Sequence, residues 1–226
     1  MLQFQTIAVD ASTVACVKCA EDHARDTVDF DAIATQLENL HITVLVNNFG
    51  GGSRNPTFDT IDRFSETAIV EIIMLNAVFP TVLLSRLLPQ LCRSGPALVL
   101  TAGSLAADIG LPLIPFYGPA KAFLAAQAWT LAHDCALESL PVDILTVLFG
   151  TTRGVQFSGS KPPTWLGTGC ACHGASRCGL VVVTGYFPHA LQFILVNSLP
   201  GWLKSKVLIQ LMRQARAEEQ QSTKLA

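Results

Sequence analysis

The chain has 226 residues, of which 50% are hydrophobic and 14% are charged, and its formal net charge at pH 7 is -2. This balance excludes a general electrostatic attraction to nucleic acid, so we expect no nucleic-acid partner. The charged fraction lies well below the roughly 25% of an average globular protein. Such a composition favours a sheet that is buried on both faces, and it also suits a protein that rests against a membrane.

Short apolar segments alternate with segments of helical periodicity along the chain. In chain order, the pattern predicts a strand at 5–9, a helix at 30–40, a strand at 41–46, a helix at 61–91 that bends at Pro80, a strand at 97–101, a helix at 117–137, strands at 142–148 and 180–184, and a helix from 203 that becomes mostly polar from Arg213. Asp29 or Asp31 is the expected N-cap of the first helix. Strands that alternate with helices imply an α/β fold with a doubly wound parallel sheet, in a single domain over residues 1–226.

Two C-terminal segments have an unusual composition. Residues 151–179 are rich in Gly, Ser, Pro and Cys, so we interpret them as a loop. Residues 178–203 contain no Asp, Glu, Lys or Arg, but glycines and prolines interrupt them, whereas a spanning helix needs about 20 predominantly apolar residues. We therefore expect no transmembrane helix, and the helices of residues 186–226 leave peripheral contact with a bilayer open. The first residues lack the basic start of a secretory signal.

Seven cysteines, an odd number without a recognisable secretory signal, argue against a disulfide framework. The alternative is a zinc site, for which the sequence offers six candidate ligands: Cys16, Cys19, Cys170, Cys172, His173 and Cys178. The second group of these has no clean C-x-x-C pair. Scattered thiols in a reducing compartment are therefore the favoured interpretation, and no metal is expected.

Polar residues follow the predicted strands at their carboxyl ends. They are Asp10, the Asn47-Asn48-Phe49-Gly50-Gly51-Gly52 turn, Ser104 and the loop 149–154. In open parallel sheets, ligands bind beyond the carboxyl ends of the strands. This edge of the sheet is therefore the expected functional site.

Tyr117 and Lys121 lie four residues apart on a predicted helix, so their side chains share one face. A free tyrosine titrates near ~10, and a neighbouring ammonium is expected to lower the pKa of Tyr117 towards the neutral range. The same spacing also occurs on half-exposed helices with no catalytic role. Ser104, which follows the preceding strand, and Asn76, on the long helix before it, favour the catalytic interpretation.

In this order and spacing, the Asn47–Gly50 turn, Asn76, Ser104, Tyr117 and Lys121 resemble the short-chain dehydrogenase/reductase family. The resemblance implies a Rossmann-like fold and hydride transfer between a nicotinamide and a ketone. It implies four catalytic residues: Tyr117 donates the proton, Ser104 holds the carbonyl oxygen, Lys121 lowers the pKa of Tyr117 and contacts the ribose, and Asn76 anchors a relay water. It also implies a cofactor, NADP rather than NAD, held by Asp10, Asn48, Gly50, Tyr117, Lys121 and Thr152.

Pro80 bears on the role of Asn76. A proline four residues after Asn76 removes the N–H that would bond the Asn76 carbonyl in an α-helix. Either this carbonyl accepts the relay water, or Pro80 makes a simple packing kink. The sequence leaves both open.

Finer resemblance points to one branch of the family. Residues 98–104, Leu111-Pro112-Leu113 and the segment from Lys121 to Leu124 are similar to fungal very-long-chain 3-oxoacyl-CoA reductases, whose branch also contains hydroxysteroid dehydrogenases. This implies a lipid-like or polycyclic ketone substrate and a cytoplasmic location, with the endoplasmic reticulum membrane surface as an option. Alternatives are a tailoring ketoreductase of a secondary-metabolite pathway, or an inactive fragment or non-catalytic partner of a full-length homologue. Homo-oligomerisation is open.

The sequence also departs from the family. No glycine-rich phosphate turn is found, and Asp10 matches the end of the family's third strand. We therefore expect the sheet to lack its first two strand-helix units, on the order of 60 to 80 residues. The strand at 41–46 would then have an uncovered apolar edge. The family's P-G-x-x-x-T is replaced by residues 149–154, and residues 151–179 form a divergent substrate loop.

Overall fold

The computed structural model of the protein describes residues 5–13, 28–52, 56–150 and 179–225. Its elements in chain order are α1 (Phe30–Leu37), β1 (Val44–Asn47), a 3-10 turn (Ile61–Arg63), α2 (Glu66–Ile73), a π-helical turn (Met74–Val78), α3 (Phe79–Ser94), β2 (Ala97–Ser104), α4 (Ala106–Ile109), α5 (Tyr117–Leu137), β3 (Val142–Phe149), β4 (Val182–Thr184), α6 (Phe187–Ser198) and α7 (Gly201–Leu225). The predicted loop 151–179, the residue Thr152 and all six candidate zinc ligands lie outside these ranges, except for Gly179 at the end of the loop.

The described strands form one four-stranded sheet in the order β1-β2-β3-β4, and every pairing is parallel. One face carries Val99 and Ile144, which form a core cluster with Leu91 of α3 and Ala128 of α5. The side chain of Leu91 is 0% exposed. Full burial of such a side chain contributes about 1.5–3 kcal/mol to stability. The predicted α/β parallel architecture is confirmed.

The predicted helix over 61–91 consists of several helical segments, with a π-helical turn between α2 and α3. The Ser65 side chain caps α2 by accepting a 3.2 Å hydrogen bond from the N–H of Ala68. The run then changes to a π-helical turn, in which the N–H of Phe79 bonds to the carbonyl of Met74, before it continues as α3. Because Pro80 has no N–H, the regular α-helical register cannot pass this point, and the π turn accommodates it.

By length and composition, this same run, Glu66–Ser94, is apolar enough to cross a membrane. Its mean hydropathy reaches 2.0, and 39% of that window is buried within the described structure. The sequence-based expectation that no such helix exists is therefore wrong on these criteria. A core helix also meets them, and here α3 packs against the sheet through Leu84 and Leu91.

The N-terminal segment departs from the prediction. Residues 5–10 have no regular structure, although 5–9 were expected to form a strand that ends at Asp10. A strand requires a neighbour for its backbone hydrogen bonds, and no described strand lies beside this segment. Instead, Ile7 packs against the cluster of α1 and α3, where Ala11 is buried.

Two local predictions about α1 and β1 have clear outcomes. The Asp29 carboxylate accepts a 2.8 Å hydrogen bond from the N–H of Ala32, which confirms it as the N-cap of α1. Within the described sheet, β1 is an edge strand paired with β2, and Val44 and Val46 are each 53% exposed. The expected uncovered apolar edge is confirmed for this part of the chain.

Candidate active site

The ends of β1 and β2 and the start of α5 meet through Lys121. The Lys121 ammonium donates a 2.8 Å hydrogen bond to the carbonyl of Phe49, in the turn after β1. It donates a second bond, of 3.0 Å, to the carbonyl of Ala102, near the end of β2. Lys121 is only 3% exposed. This buried cation therefore ties the helix to the carboxyl ends of two neighbouring strands.

The side-chain amide of Asn76 fixes the adjacent turn. Its Nδ2 donates hydrogen bonds of 2.8 Å to the carbonyls of Gly51 and Ile72, and its Oδ1 accepts a 3.1 Å bond from the N–H of Gly51. Asn76 is 0% exposed and lies in the π turn. The register change thus positions a fully buried amide against the backbone of the turn. Sequence reasoning anticipated a role for the Asn76 carbonyl and missed this role of the side chain.

Gly50 lies between these two side chains. A Cβ at this position would lie 2.7 Å from Lys121 Nζ and 2.8 Å from Asn76 Oδ1. The φ angle of Gly50 is +149°, in a region that other residues rarely adopt. Both observations require glycine here, and the residue that was predicted to approach a cofactor is central to the site.

Ser104 and Tyr117 lie at this same edge, and hydrogen bonding from the Ser104 side chain acts to lower the pKa of the Tyr117 phenol. Ser104 is the last residue of β2, and its Oγ also accepts a 3.2 Å bond from the N–H of Ala106. Tyr117 is the first residue of α5, so its hydroxyl projects from the helix start. The catalytic roles expected for these two residues stay predictions.

The pKa values at the site differ in part from expectation. Burial raises the pKa of the Tyr117 phenol, and the hydrogen bond from Ser104 opposes this rise. Burial lowers the pKa of Lys121 to about 8. The effect of Lys121 on Tyr117 stays a prediction, and in the described structure burial decides the direction of the Tyr117 pKa shift. The physical reason is that loss of hydration disfavours both charged forms, and the ammonium is directed at the carbonyls of Phe49 and Ala102.

The remaining predicted cofactor residues have different surroundings. Asp10 is exposed, and its Oδ1 accepts bonds from the Ser12 side chain and backbone, which lower the pKa of its carboxyl. Among the described residues, no hydrogen bond joins Asp10 to Lys121, Asn76, Ser104 or Tyr117. Asn48 is exposed next to the Phe49 carbonyl, whereas Asn47 is buried and its Oδ1 has no hydrogen-bond partner there.

Sequence reasoning missed His189. Its Nδ1 accepts a 3.1 Å hydrogen bond from the N–H of Gly150, the residue directly after β3. A Cβ on Gly150 would lie 2.7 Å from the imidazole Cδ2. Tyr186 packs edge-on against the ring, with centroids 5.0 Å apart. Gly150 and His189 are 39 positions apart, so no local sequence pattern predicts their contact. Only the packing of α6 reveals it.

The arrangement fits one end of a nicotinamide cofactor. An ammonium has three N–H donors, and the two carbonyls use two of those on Lys121, which leaves one for a ribose hydroxyl. The lack of a side chain at Gly50 lets Lys121 and Asn76 approach the turn backbone closely. These residues could hold the nicotinamide end of such a cofactor, and the given sequence contains no G-x-x-x-G-x-G turn for its phosphates.

A cavity of about 420 Å³ opens between α7 and the segment before α5. Its lining combines apolar and basic side chains, among them Leu113, Ile209, Met212, Arg213 and Arg216. The Arg216 guanidinium pairs with the Asp59 carboxylate at 2.9 Å, and the N–H of Asp59 bonds to the Leu113 carbonyl. These contacts hold α7 over the loop that leads to Tyr117.

Comparison with known proteins identifies the family and the fold of the chain. Residues 5–161 match the model of the family described as short chain dehydrogenase. A crystal structure of a short chain dehydrogenase from Burkholderia cenocepacia J2315, in complex with NADP, has a TM-score of 0.62 at 18% identity. The likeness covers 75% of this chain and 73% of that one, and it shows the fold.

Two curated relatives show how far the sequence similarity extends. The very-long-chain 3-oxoacyl-CoA reductase of Homo sapiens is 23% identical over 91% of this chain and 66% of its own length. The inactive hydroxysteroid dehydrogenase-like protein 1 of Rattus norvegicus is 24% identical over 86% of this chain and 60% of its own length. The chain thus spans less than two thirds of the length of either relative.

Proposed function

The chain belongs to the short chain dehydrogenase family, and from this premise we propose that it reduces a ketone with NADPH at a Ser104–Tyr117–Lys121–Asn76 site. The observation that carries the proposal is that the buried Lys121, one helical turn from Tyr117, binds the carbonyl of Ala102, two residues before Ser104. A phenol, a second hydroxyl and a cation near one edge of a parallel sheet support acid catalysis there.

The bound nicotinamide would supply the hydride to the carbonyl carbon. The raised pKa of Tyr117 keeps its phenol protonated at neutral pH, so the O–H can donate its proton to the carbonyl oxygen as negative charge develops there. Ser104 would hold the same oxygen with its hydroxyl. Lys121 and Asn76 would keep the turn around Gly50 in place beside the ribose. The proposed cofactor is NADP in preference to NAD.

Reprotonation of Tyr117 completes the cycle. Pro80 supplies no N–H to the Asn76 carbonyl, and the π turn alters the helical hydrogen bonds at this point. We extend the proposal to a water on that carbonyl that relays a proton towards Lys121. Among the expected cofactor residues, Asn48 and Gly50 would border the nicotinamide, Thr152 would contact its amide, and Asp10 would contact the adenine.

The proposed substrate is a lipid-like 3-oxoacyl or polycyclic ketone. The name of the human relative supports this class, and so does the cavity beside the loop before Tyr117, which apolar side chains and Arg213 line. We further propose a single catalytic domain on the cytoplasmic side of a membrane, with peripheral membrane contact and self-association. No nucleic-acid partner is part of this proposal.

The second candidate function is that of a non-catalytic partner of a full-length homologue. The name of the rat relative favours it, because that protein is called inactive. The two candidates differ in whether the chain binds NADPH by itself.

The test combines cofactor binding with catalysis. NADPH is expected to raise the melting temperature of the chain more than NADH does, and a 3-oxoacyl-CoA is expected to drive NADPH oxidation. Tyr117→Phe should lower kcat by about a thousandfold. Tyr186→Phe, at the other tyrosine of the chain, is the matched control and should retain activity. No thermal shift together with no ketone-dependent oxidation would favour the non-catalytic partner.

A further inference from the structure

Helix α6 is apolar, yet it has no buried residue. Its twelve residues read FPHALQFILVNS, and none of them is buried in the described structure. A helix that is apolar over most of its surface is normally enclosed in a protein core or placed against a membrane. The composition of α6 therefore calls for a partner that the described part of the chain does not provide.

The most exposed apolar side chains of α6 share one side of the helix. Phe187, Leu191, Ile194 and Leu195 follow the i, i+4, i+7, i+8 spacing of a single face. Their exposures are 78%, 45%, 59% and 59%, and Trp202, at the start of α7, is 64% exposed. These five residues are called the apolar surface below. Large contiguous patches of this kind mark interaction sites.

Basic groups lie beside the apolar surface, and acidic residues are missing from the same stretch of sequence. Residues 179–217 contain no Asp or Glu, although the whole chain has a net charge of -2. The ammonium of Lys206 lies 5.3 Å from the centroid of the Trp202 ring. Lys204 donates a 2.7 Å hydrogen bond to Asn197 Oδ1 on α6. The local charge is therefore positive at the end of the apolar surface.

We propose that the apolar surface docks on a bilayer that contains anionic lipids, with α6 lying in the plane of the interface. An apolar helical face that ends in tryptophan and lysine suits this position, because the rings and aliphatic stems enter the headgroup region while the ammonium groups meet lipid phosphates. A helix of twelve residues is about 18 Å long, which is too short for a hydrocarbon core of about 30 Å. The contact is therefore peripheral.

A second copy of the chain is a less suitable occupant. A two-fold contact through the apolar surface would bring the lysines of both copies towards the same interface. No acidic residue in 179–217 is available to pair with them. The inference gives a location to the membrane contact proposed above, and its test does not depend on reductase activity.

The experiment measures sedimentation of the full chain with vesicles of phosphatidylcholine, with and without phosphatidylserine. We expect strong binding to the anionic vesicles and weaker binding to the neutral ones. Lys204→Gln and Lys206→Gln should each lower the partition coefficient on anionic vesicles by roughly fivefold. Ile194→Ser and Leu195→Ser should each lower it by about fivefold or more on both kinds of vesicle.

Two controls match these changes elsewhere on the surface. Leu137→Ser alters an apolar side chain that is 79% exposed at the end of α5, and Arg63→Gln removes a cation whose side chain is 70% exposed. Neither should change vesicle binding. Circular dichroism verifies folding, and the lysine variants carry the test if a serine variant unfolds. No sedimentation, or equal losses in controls and test variants, would overturn the proposal. A dimer that Ile194→Ser converts to a monomer, without vesicle binding, would assign the surface to a second copy.

Discussion

The ammonium of Lys121 bonds to the carbonyl oxygen of Phe49 at 2.8 Å, across a sequence separation of 72 positions. This contact joins α5 to the turn after β1, and the second bond of Lys121, to the carbonyl of Ala102, joins it to β2. Lys121 is thus a structural link of the site as well as a proposed cofactor contact. The stability of the chain and the chemistry of the site should therefore both depend on Lys121.

Gly50→Ala is expected to destabilise the chain by about 2 to 4 kcal/mol, because the added methyl group meets Lys121 Nζ and Asn76 Oδ1 at a φ of +149°. Gly201→Ala is the matched control, since a Cβ there meets nothing within 4 Å. Urea unfolding of both variants measures the difference. Equal midpoints for the two variants would contradict the close approach at Gly50.

The buried ammonium of Lys121 predicts a specific pH dependence of stability. The pKa of Lys121 is lowered from 10.5 to about 8, so between these values the unfolded chain binds one proton more than the folded chain. Stability should therefore rise with pH over this window, by about 3 kcal/mol for wild type relative to Lys121→Met. Urea unfolding at a series of pH values measures both proteins. Parallel curves for the two would show that Lys121 is not the group responsible.

Tyr117 should titrate above a free tyrosine, because burial raises its pKa. In the Tyr186→Phe variant, Tyr117 is the sole tyrosine, so the ultraviolet absorbance of phenolate reports on it alone. The midpoint is expected above ~10, the value for free tyrosine. For an active enzyme, ionisation of Tyr117 should then not reduce the rate of ketone reduction at neutral pH. A midpoint in the neutral range would instead restore the mechanism expected from sequence, in which Lys121 acidifies the phenol.

The Arg216–Asp59 pair should contribute modestly to the docking of α7. Its side chains are 36% and 21% exposed, so solvent screens the 2.9 Å contact in part. A double-mutant cycle of Arg216→Gln and Asp59→Asn is expected to give a coupling free energy of about 0.5 to 1 kcal/mol. The measurement is chemical unfolding at low ionic strength, and added salt should reduce the coupling. A coupling of zero would mean that apolar contacts of α7 alone hold it in place.

Val46→Lys tests the exposed edge of the sheet. Val46 is 53% exposed on β1, which is an edge strand of the described sheet, and it belongs to none of the described core clusters, so a lysine should be tolerated there. We expect slower aggregation at high protein concentration and an unchanged unfolding midpoint, because a charged edge disfavours pairing with another strand. Light scattering on heating measures the first quantity. Faster aggregation, or a lowered midpoint, would indicate that this edge is covered.

Local patterns in the sequence determined much of this protein. The alternation of apolar and amphipathic segments predicts the parallel α/β architecture, because periodicity depends on near neighbours alone. The four-residue spacing of Tyr117 and Lys121 places them on one helical face, and the position of Asp29 before an amphipathic run identifies the cap of α1. Each of these features depends only on residues that lie close together in the sequence.

Only the tertiary structure decided where the long-range partners lie. Residues 5–9 have a strand-like sequence, but a strand also needs a neighbouring strand, and no local pattern supplies one. Packing between distant segments produces three hydrogen bonds of the site: Asn76 with Gly51, Lys121 with Phe49, and His189 with Gly150. The raised pKa of Tyr117 has the same origin, because burial is a property of the assembled site and not of its spacing in sequence.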